Sequence, residues 1–234
     1  MIATLERIDD IADHIQMFWF RPERPVQYIA GQFTELYLPH AGADDRGERR
    51  WFTLSSSPTE ELLAITTRFT RGHSSTFKQA LGELRVGTQV SLADPMGDFV
   101  LPKNKQIPLL FAAVGMGVTP ARSMIKYLLD SGEQRDITLV HAVPIEPHLV
   151  FQDVFGTYKM NYLPLVRKPG PSWQGQHGTL TSEWIAELLG DRLKTQVYLS
   201  GPEELTKKLA TEVKACGVAE YRVVTDLFPG YHQE

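Results

Sequence analysis

IPLLFAAVGMGVTPARSMIKYLLDSG, residues 107–132, changes character twice within its length. IPLLFAAV is a continuous apolar run without polar alternation, the pattern of a strand buried on both faces. VGMGVTP, residues 114–120, then supplies a glycine-rich turn. TPARSMIKYLLDSG follows as a helix, with Pro120 near its start and Gly132 at its stop. Downstream the alternation repeats. DITLVHAV, NYLPLVRK, QVYLSG and YRVVTDLF read as strands, and TSEWIAELL and EELTKKLATEVKAC as helices. Strands alternating with helices imply a mostly parallel sheet with right-handed crossovers.

Upstream of Lys103–Gln106 the pattern differs. IQMFWF, FTELYL, LLAITTRF, TQVSLA and DFVL are short strand-like runs separated by Pro, Gly or charged turns. Runs at that spacing suggest a small antiparallel barrel or sandwich. SSTFKQALGEL is the exception: it has Ser74 or Ser75 as N-cap, helical spacing at Phe77, Leu81 and Leu84, and a break at Gly82. The expected organisation is a two-domain β plus α/β chain. An N-terminal antiparallel β-barrel covers residues 1–103, and a Rossmann-like parallel-sheet domain with a C-terminal tail covers 104–234.

Composition narrows the function classes. The 234 residues are 42% hydrophobic and 22% charged, ordinary for a globular chain able to bury a core. A net charge of -4, with no basic run longer than a pair, argues against nucleic acid as a partner. The lone Cys216 cannot form an internal disulfide or supply a cysteine-ligated cluster. Its place beside Gly217 at a helix end leads us to expect a buried, inert thiol. The opening MIATLERIDDIAD has neither the basic start nor the apolar run of a signal peptide, and no stretch reaches membrane-spanning length. A cytoplasmic protein without a membrane span is expected. The histidines are scattered, and no metal site is expected.

Three glycine-containing turns and one strand carry chemistry. In VGMGVTP, Gly115 and Gly117 let the backbone approach a ligand, and the helix behind directs free N–H groups at a phosphate. A tight turn alone also wants glycines. A second glycine turn, LSGPEEL, closes another buried strand and brings Ser200–Pro202 to the same rim. In the first half, RGHSSTFKQAL places a glycine and hydroxyls at a helix start, while Arg50 offers a guanidinium fork for the same anion. His141 ends its strand either near a ligand or in a capping role.

These motifs stand in a familiar order. GQF (31–33), RWFT (50–53), GHSS (72–75), DPMGDFVL (94–101), VGMGVTP, SGP (200–202) and DLF (226–228) span nearly the whole chain. Together they resemble the signatures of the ferredoxin–NADP reductase-like superfamily, in which an FAD-binding barrel precedes a nicotinamide-binding α/β domain. The resemblance implies that Arg50 pairs with the FAD pyrophosphate, Phe52 packs on the flavin and Thr53 hydrogen-bonds near flavin N5. Gly72, Ser74, Ser75 and Thr76 complete the pyrophosphate site, with Thr67 also a cofactor-binding candidate. Trp51 belongs to the same motif, although strand alternation turns it to the opposite face. Gly115, Gly117, Thr119 and Pro120 form the dinucleotide turn, and Gly201 and Pro202 seat the nicotinamide. Phe228 and Tyr231, in the tail FPGYHQE, either shield a flavin face or pack on the barrel.

Three positions depart from the superfamily pattern. Ser200 replaces its cysteine, Asp226 its glutamate and Val114 its first glycine, and a working but slower hydride step is implied at Ser200. Thr53, Ser200 and Asp226 are the catalytic candidates. Arg167, in an Arg167–Lys168 pair, faces either a 2′-phosphate or solvent, so NADH and NADPH both remain open. The implied activity is an FAD-dependent NAD(P)H oxidoreductase. Its acceptor is a separate molecule: ferredoxin, flavodoxin, a quinone, a haem protein or free flavin. The alternatives are an electron-transfer subunit of a larger redox complex and a non-enzymatic flavin- or nucleotide-sensing module. Monomer and homodimer are both compatible with the sequence.

Overall fold

A computed structural model of the chain describes residues 1–69, 74–192 and 194–229. The first half is a six-stranded antiparallel sheet in the order β4-β3-β6-β1-β2-β5. Its strands are β1 (Ile2–Ala12), β2 (Ile15–Pro22), β3 (Phe33–Tyr37), β4 (Arg49–Thr53), β5 (Leu63–Arg68) and β6 (Gln89–Leu92). An antiparallel bridge between Leu54 and Ile65 joins the two edge strands, so the sheet curls into a barrel. Helix α1 (Thr76–Gly82) plugs it, driving Phe77 and Leu81 among Leu5, Phe18, Phe20, Leu36 and Ile65. Burial of those rings and branched chains is what holds so short a helix in place.

The second half is a six-stranded parallel sheet in the order β10-β9-β8-β7-β11-β12. It comprises β7 (Leu109–Val114), β8 (Ile137–Val143), β9 (Asn161–Val166), β10 (Gln176–His177), β11 (Gln196–Pro202) and β12 (Val223–Phe228). Helices α2 (Thr119–Asp130) and α3 (Gln152–Phe155) cover one face, and α4 (Ser182–Leu189) and α5 (Glu203–Ala215) the other. Period-two alternation sorts the strand residues between the faces. Leu109, Phe111 and Ala113 pack with α2 and α3, while Leu110 and Ala112 pack with α4 and α5.

The core under α2 does not stop at the second domain. It runs on into Ile15, Met17, Trp19, Ala30 and Ala64 of the barrel. Across this seam Arg122 of α2 donates to the Ser55 carbonyl at 2.9 Å and forms a fork with the Glu60 carboxylate. Ser123 donates to the Ser56 carbonyl and accepts from the Gly31 N–H.

Two expectations are corrected. DFVL is not a strand, because Phe99 turns edge-on to Tyr198 at 5.0 Å and the Val100 carbonyl accepts from the Tyr198 hydroxyl at 2.7 Å. Those contacts lead the chain out of the barrel and across to the second sheet. Cys216 is exposed, because the inward face of α5 is already supplied by Thr206, Leu209, Ala210 and Val213. Among the described residues no helix is long and apolar enough to cross a membrane.

Candidate functional site: a glycine-walled cleft meeting a barrel strand

From β7 the chain runs out to β8 and β9, then crosses back to β11 and β12 on the other side. Open parallel sheets bind ligands beyond the carboxyl ends of the strands at such a reversal. A cleft opens there, walled by Gly115, Gly117, Arg167, Gly201, Pro202 and Phe228. It also takes in Ile15 and Arg68 from the barrel.

The glycines of the two turns have different reasons to be glycine. Gly115 takes φ 57°, and a Cβ there would meet nothing within 4 Å, so its backbone is open to the cleft. Gly117 is required by packing: a Cβ would lie 2.2 Å from the Ser200 carbonyl oxygen. Gly201, at φ 144°, would place a Cβ 2.9 Å from Val114. The two turns therefore nest into each other. Thr119 and Pro120 are buried, and the Thr119 hydroxyl donates to the Met116 carbonyl at 2.9 Å. In the fold, the bare Cα of Gly117 and the hydroxyl of Thr119 brace the turn, and Gly117 also lines the cleft.

The three catalytic candidates converge although they come from both domains. Thr53, at the end of β4, donates from its hydroxyl to the Asp226 carboxylate at 3.2 Å. Asp226 lies in register beside Ser200 on the paired strands β11 and β12. Ser200 is buried and donates to the Gly117 carbonyl. Desolvation pushes the Asp226 carboxyl up to about 6, against the hydrogen bond from Thr53, which works the other way. The group therefore changes protonation just below neutrality.

Along β4, Arg50 and Phe52 both turn toward α1. The guanidinium lies 5.0 Å over the Phe77 ring, and the Phe52 and Phe77 rings are 6.1 Å apart. Arg50 is already occupied. It donates to the Asp44 carboxylate at 2.6 Å and to the carbonyls of Arg46, Gly47 and Arg49, leaving its side chain 14% exposed. Arg49 instead pairs outward with Glu35 at 2.8 Å. Trp51 points away, 67% exposed, with its ring 5.9 Å from Phe33. Ser75 is the N-cap of α1, accepting from the Lys78 N–H at 3.3 Å, and Thr76 hydrogen-bonds His40 at 3.1 Å. The Ser74 carbonyl accepts from Gln79. Thr67 is fully buried within β5, opposite Gln16 of β2. Gly72 and Tyr231 lie outside the described residues.

Several residues that shape the site were not read from the sequence. Asp44 sits in a turn and gave no signal beyond turn chemistry. Ser55, Ser56 and Ser57 read as turn formers, yet all three are fully buried at the seam between the domains. Arg122 lies in an amphipathic helix, where an arginine ordinarily faces water. Arg167 has a buried Nε without a hydrogen-bond partner, and it carries no ion pair among the described residues.

Residues 111–211 match the model of the oxidoreductase NAD-binding domain. Over 212 residues the chain is 26% identical to the reductase subunit of stachydrine N-demethylase from Rhizobium meliloti, covering 87% of this chain and 57% of that one. Over 235 residues it is 26% identical to the phenol hydroxylase P5 protein of Acinetobacter pittii, covering 97% and 65%. Both relatives are longer, so the chain spans less than two thirds of either. In three dimensions it overlays the FAD/NAD-binding domain of nitric oxide dioxygenase from Vibrio cholerae. The TM-score is 0.83 at 18% identity, with 97% of this chain and 98% of that one covered. The chain therefore shares the two-domain fold of that FAD/NAD-binding domain, and its second half carries the oxidoreductase NAD-binding domain. The barrel comes first and the parallel sheet second, the order expected from the sequence.

Proposed function

We propose that the protein is an FAD-dependent NAD(P)H oxidoreductase that hands electrons to a separate acceptor. The observation carrying it is the meeting of Thr53, from the barrel, with Asp226, which pairs in register with Ser200 next to the Gly201–Pro202 wall of the cleft. Each half alone is an ordinary strand end. Together they hold a barrel strand against a dinucleotide cleft at hydrogen-bond distance.

The residues fit both groups. On the nucleotide side, Gly115 leaves a cradle that a Cβ would fill, and Arg167 has an orphaned buried nitrogen beside it. On the flavin side, Arg50 already grips a carboxylate, so its guanidinium is an anion seat with Asp44 standing in for phosphate oxygens. When bound, the nicotinamide supplies a hydride and the flavin accepts it and releases electrons singly or in pairs. Arg50, with Ser74, Ser75 and Thr76 at the start of α1, would hold the pyrophosphate. Phe52 would give the apolar contact, and Thr53 would present its hydroxyl at the redox edge. Asp226 fixes that hydroxyl and holds a proton below about pH 6. Ser200 keeps the two glycine turns in register, and Pro202 and Phe228 exclude water from the cleft floor. Arg167 would take an anionic oxygen of NADH or NADPH. The protein's own contribution is orientation.

A second reading has one observation in its favour. Phe33 joins Trp51 at 5.9 Å and pairs with Met96, while Trp51 and Met96 are both largely exposed. An apolar strip on the far face of β4 suits a subunit that works docked in a larger redox complex. Anaerobic titration of the purified protein separates the possibilities. Flavin absorbance that bleaches on NADH or NADPH addition, with turnover of a dye acceptor, is expected. Bleaching without dye turnover favours the docked subunit, and a protein that binds no FAD overturns both.

A further inference from the structure

We infer that His141 is the positioning residue of the dinucleotide turn, holding the Gly115–Met116 peptide so that its N–H faces the cleft. The inference rests on the dinucleotide reading of that cleft.

His141 lies in β8, directly across from Ala113 of β7, and is completely buried. Its Nε2 lies 3.3 Å from the Gly115 carbonyl oxygen. A carbonyl only accepts, so Nε2 carries the proton and the neutral ring keeps its lone pair on Nδ1. That Nδ1 is buried and has no hydrogen-bond partner. Burial also depresses the imidazole pKa to about 4, which keeps the ring neutral at physiological pH. An imidazole with an unpaired nitrogen is an expensive occupant for a wall made of Leu139, Phe111 and Ala113. A leucine or phenylalanine would suit that wall better. The compensating contact is the one to Gly115.

The consequence follows from peptide geometry. In a trans peptide the C=O and the following N–H point in opposite directions. His141 does not line the cleft, whereas Gly115 and Met116 do, so the imidazole stands behind the turn. Drawing the Gly115 carbonyl back toward His141 turns the Met116 N–H forward into the cleft. Gly115, at φ 57°, takes a backbone conformation that favours glycine, and the 3-10 turn it opens, Gly115–Val118, acts together with the imidazole to fix that peptide. Ser200 and Thr119 secure the neighbouring carbonyls of Gly117 and Met116, and the imidazole adds a side-chain donor to the Gly115 carbonyl, at the start of that turn.

The test compares wild type with His141→Gln, which keeps an N–H donor at similar reach, and His141→Phe, which keeps the ring volume without it. FAD-loaded oxidised protein is titrated with NAD+ and with NADP+, and binding is followed by calorimetry. His141→Phe should bind the better coenzyme about tenfold more weakly, equivalent to ~1.4 kcal/mol, with unchanged FAD content. His141→Gln should stay within about threefold of wild type, a difference below ~1 kcal/mol. A Phe variant that binds like wild type, or a Gln variant as weak as Phe, overturns the inference. Should the Phe variant fail to fold, the Met116 amide decides: its NMR signal must shift when coenzyme is added to wild type, and an unmoved signal overturns it. Wild-type protein that binds neither coenzyme ends the dinucleotide reading itself, an outcome distinct from an indifferent His141.

Discussion

The cleft at the sheet reversal and the edge of β4 would both receive an anion, but they wait for it in opposite states. In the cleft, the Gly115 backbone is open and Arg167 has a buried nitrogen without a partner. At β4, Arg50 is already held by Asp44 and three carbonyls. The first is a seat walled by close packing, and the second is a seat held by the protein's own carboxylate. A ligand entering the cleft meets preorganised groups, whereas one arriving at Arg50 must first displace Asp44. Preorganisation favours affinity in the one case, and competition reduces it in the other.

The largest effect expected from breaking this contrast lies in the turn itself. Gly117→Ala forces a Cβ onto the Ser200 carbonyl, so the nested turns must separate. Overpacking of this kind typically costs about 1–3 kcal/mol, read as a lower midpoint in urea, together with loss of coenzyme binding. A Gly117→Ala protein of unchanged midpoint would mean that the nesting is soft.

Next comes Arg50→Ala, which should weaken FAD retention by about 10- to 100-fold, the value of lost charge-assisted hydrogen bonds. Arg49→Ala, on the outward side, should change it little. Asp44→Asn sharpens the comparison, because removing the competing carboxylate should tighten FAD binding. Equal losses for the two arginine variants would place the anion elsewhere.

A smaller change is expected in the cleft. Arg167→Ala should raise the KM for the preferred coenzyme by roughly tenfold, about the worth of one charged hydrogen bond, with kcat preserved. A change in kcat with KM preserved would mean that Arg167 does not act in binding.

The smallest effect is a pH-dependent one at the junction of the two regions. The folded state holds a proton on Asp226 up to about pH 6, above the ordinary aspartate value of 3.8. Between those values the folded protein binds more protons than the unfolded chain, so this group lowers stability as pH rises. Asp226→Asn should therefore melt at a higher temperature than wild type at pH 8, and the two curves should meet near pH 4. A gap that widens toward acid would contradict the sign.

Much of this architecture was legible beforehand because its signals are local. Apolar runs such as IPLLFAAV and the 3.6-residue spacing in TPARSMIKYLLD specify strand and helix within a window of a dozen residues. The convergence of VGMGVTP and SGP on one rim was equally legible, because both close buried strands of one sheet. DFVL misled because its residues are strand-like while its partners are not: Phe99 and Val100 engage Tyr198 of the other domain. Cys216 misled because helix periodicity cannot say which turn runs past the end of the core.

What the sequence by itself determined was the order of the elements, the two-domain layout and the residue types that gather at the site. Only the tertiary structure decided what each of those residues is for. Gly117 is a glycine because Ser200 approaches it, Ser55 and Ser56 are buried because Arg122 and Ser123 need their carbonyls, and Arg50 is occupied because Asp44 folds back on it. His141 likewise faces Gly115 only once β8 lies beside β7. Periodicity is written in neighbouring residues, but a hydrogen-bond partner or a steric limit is supplied by whatever distant segment the fold brings within reach.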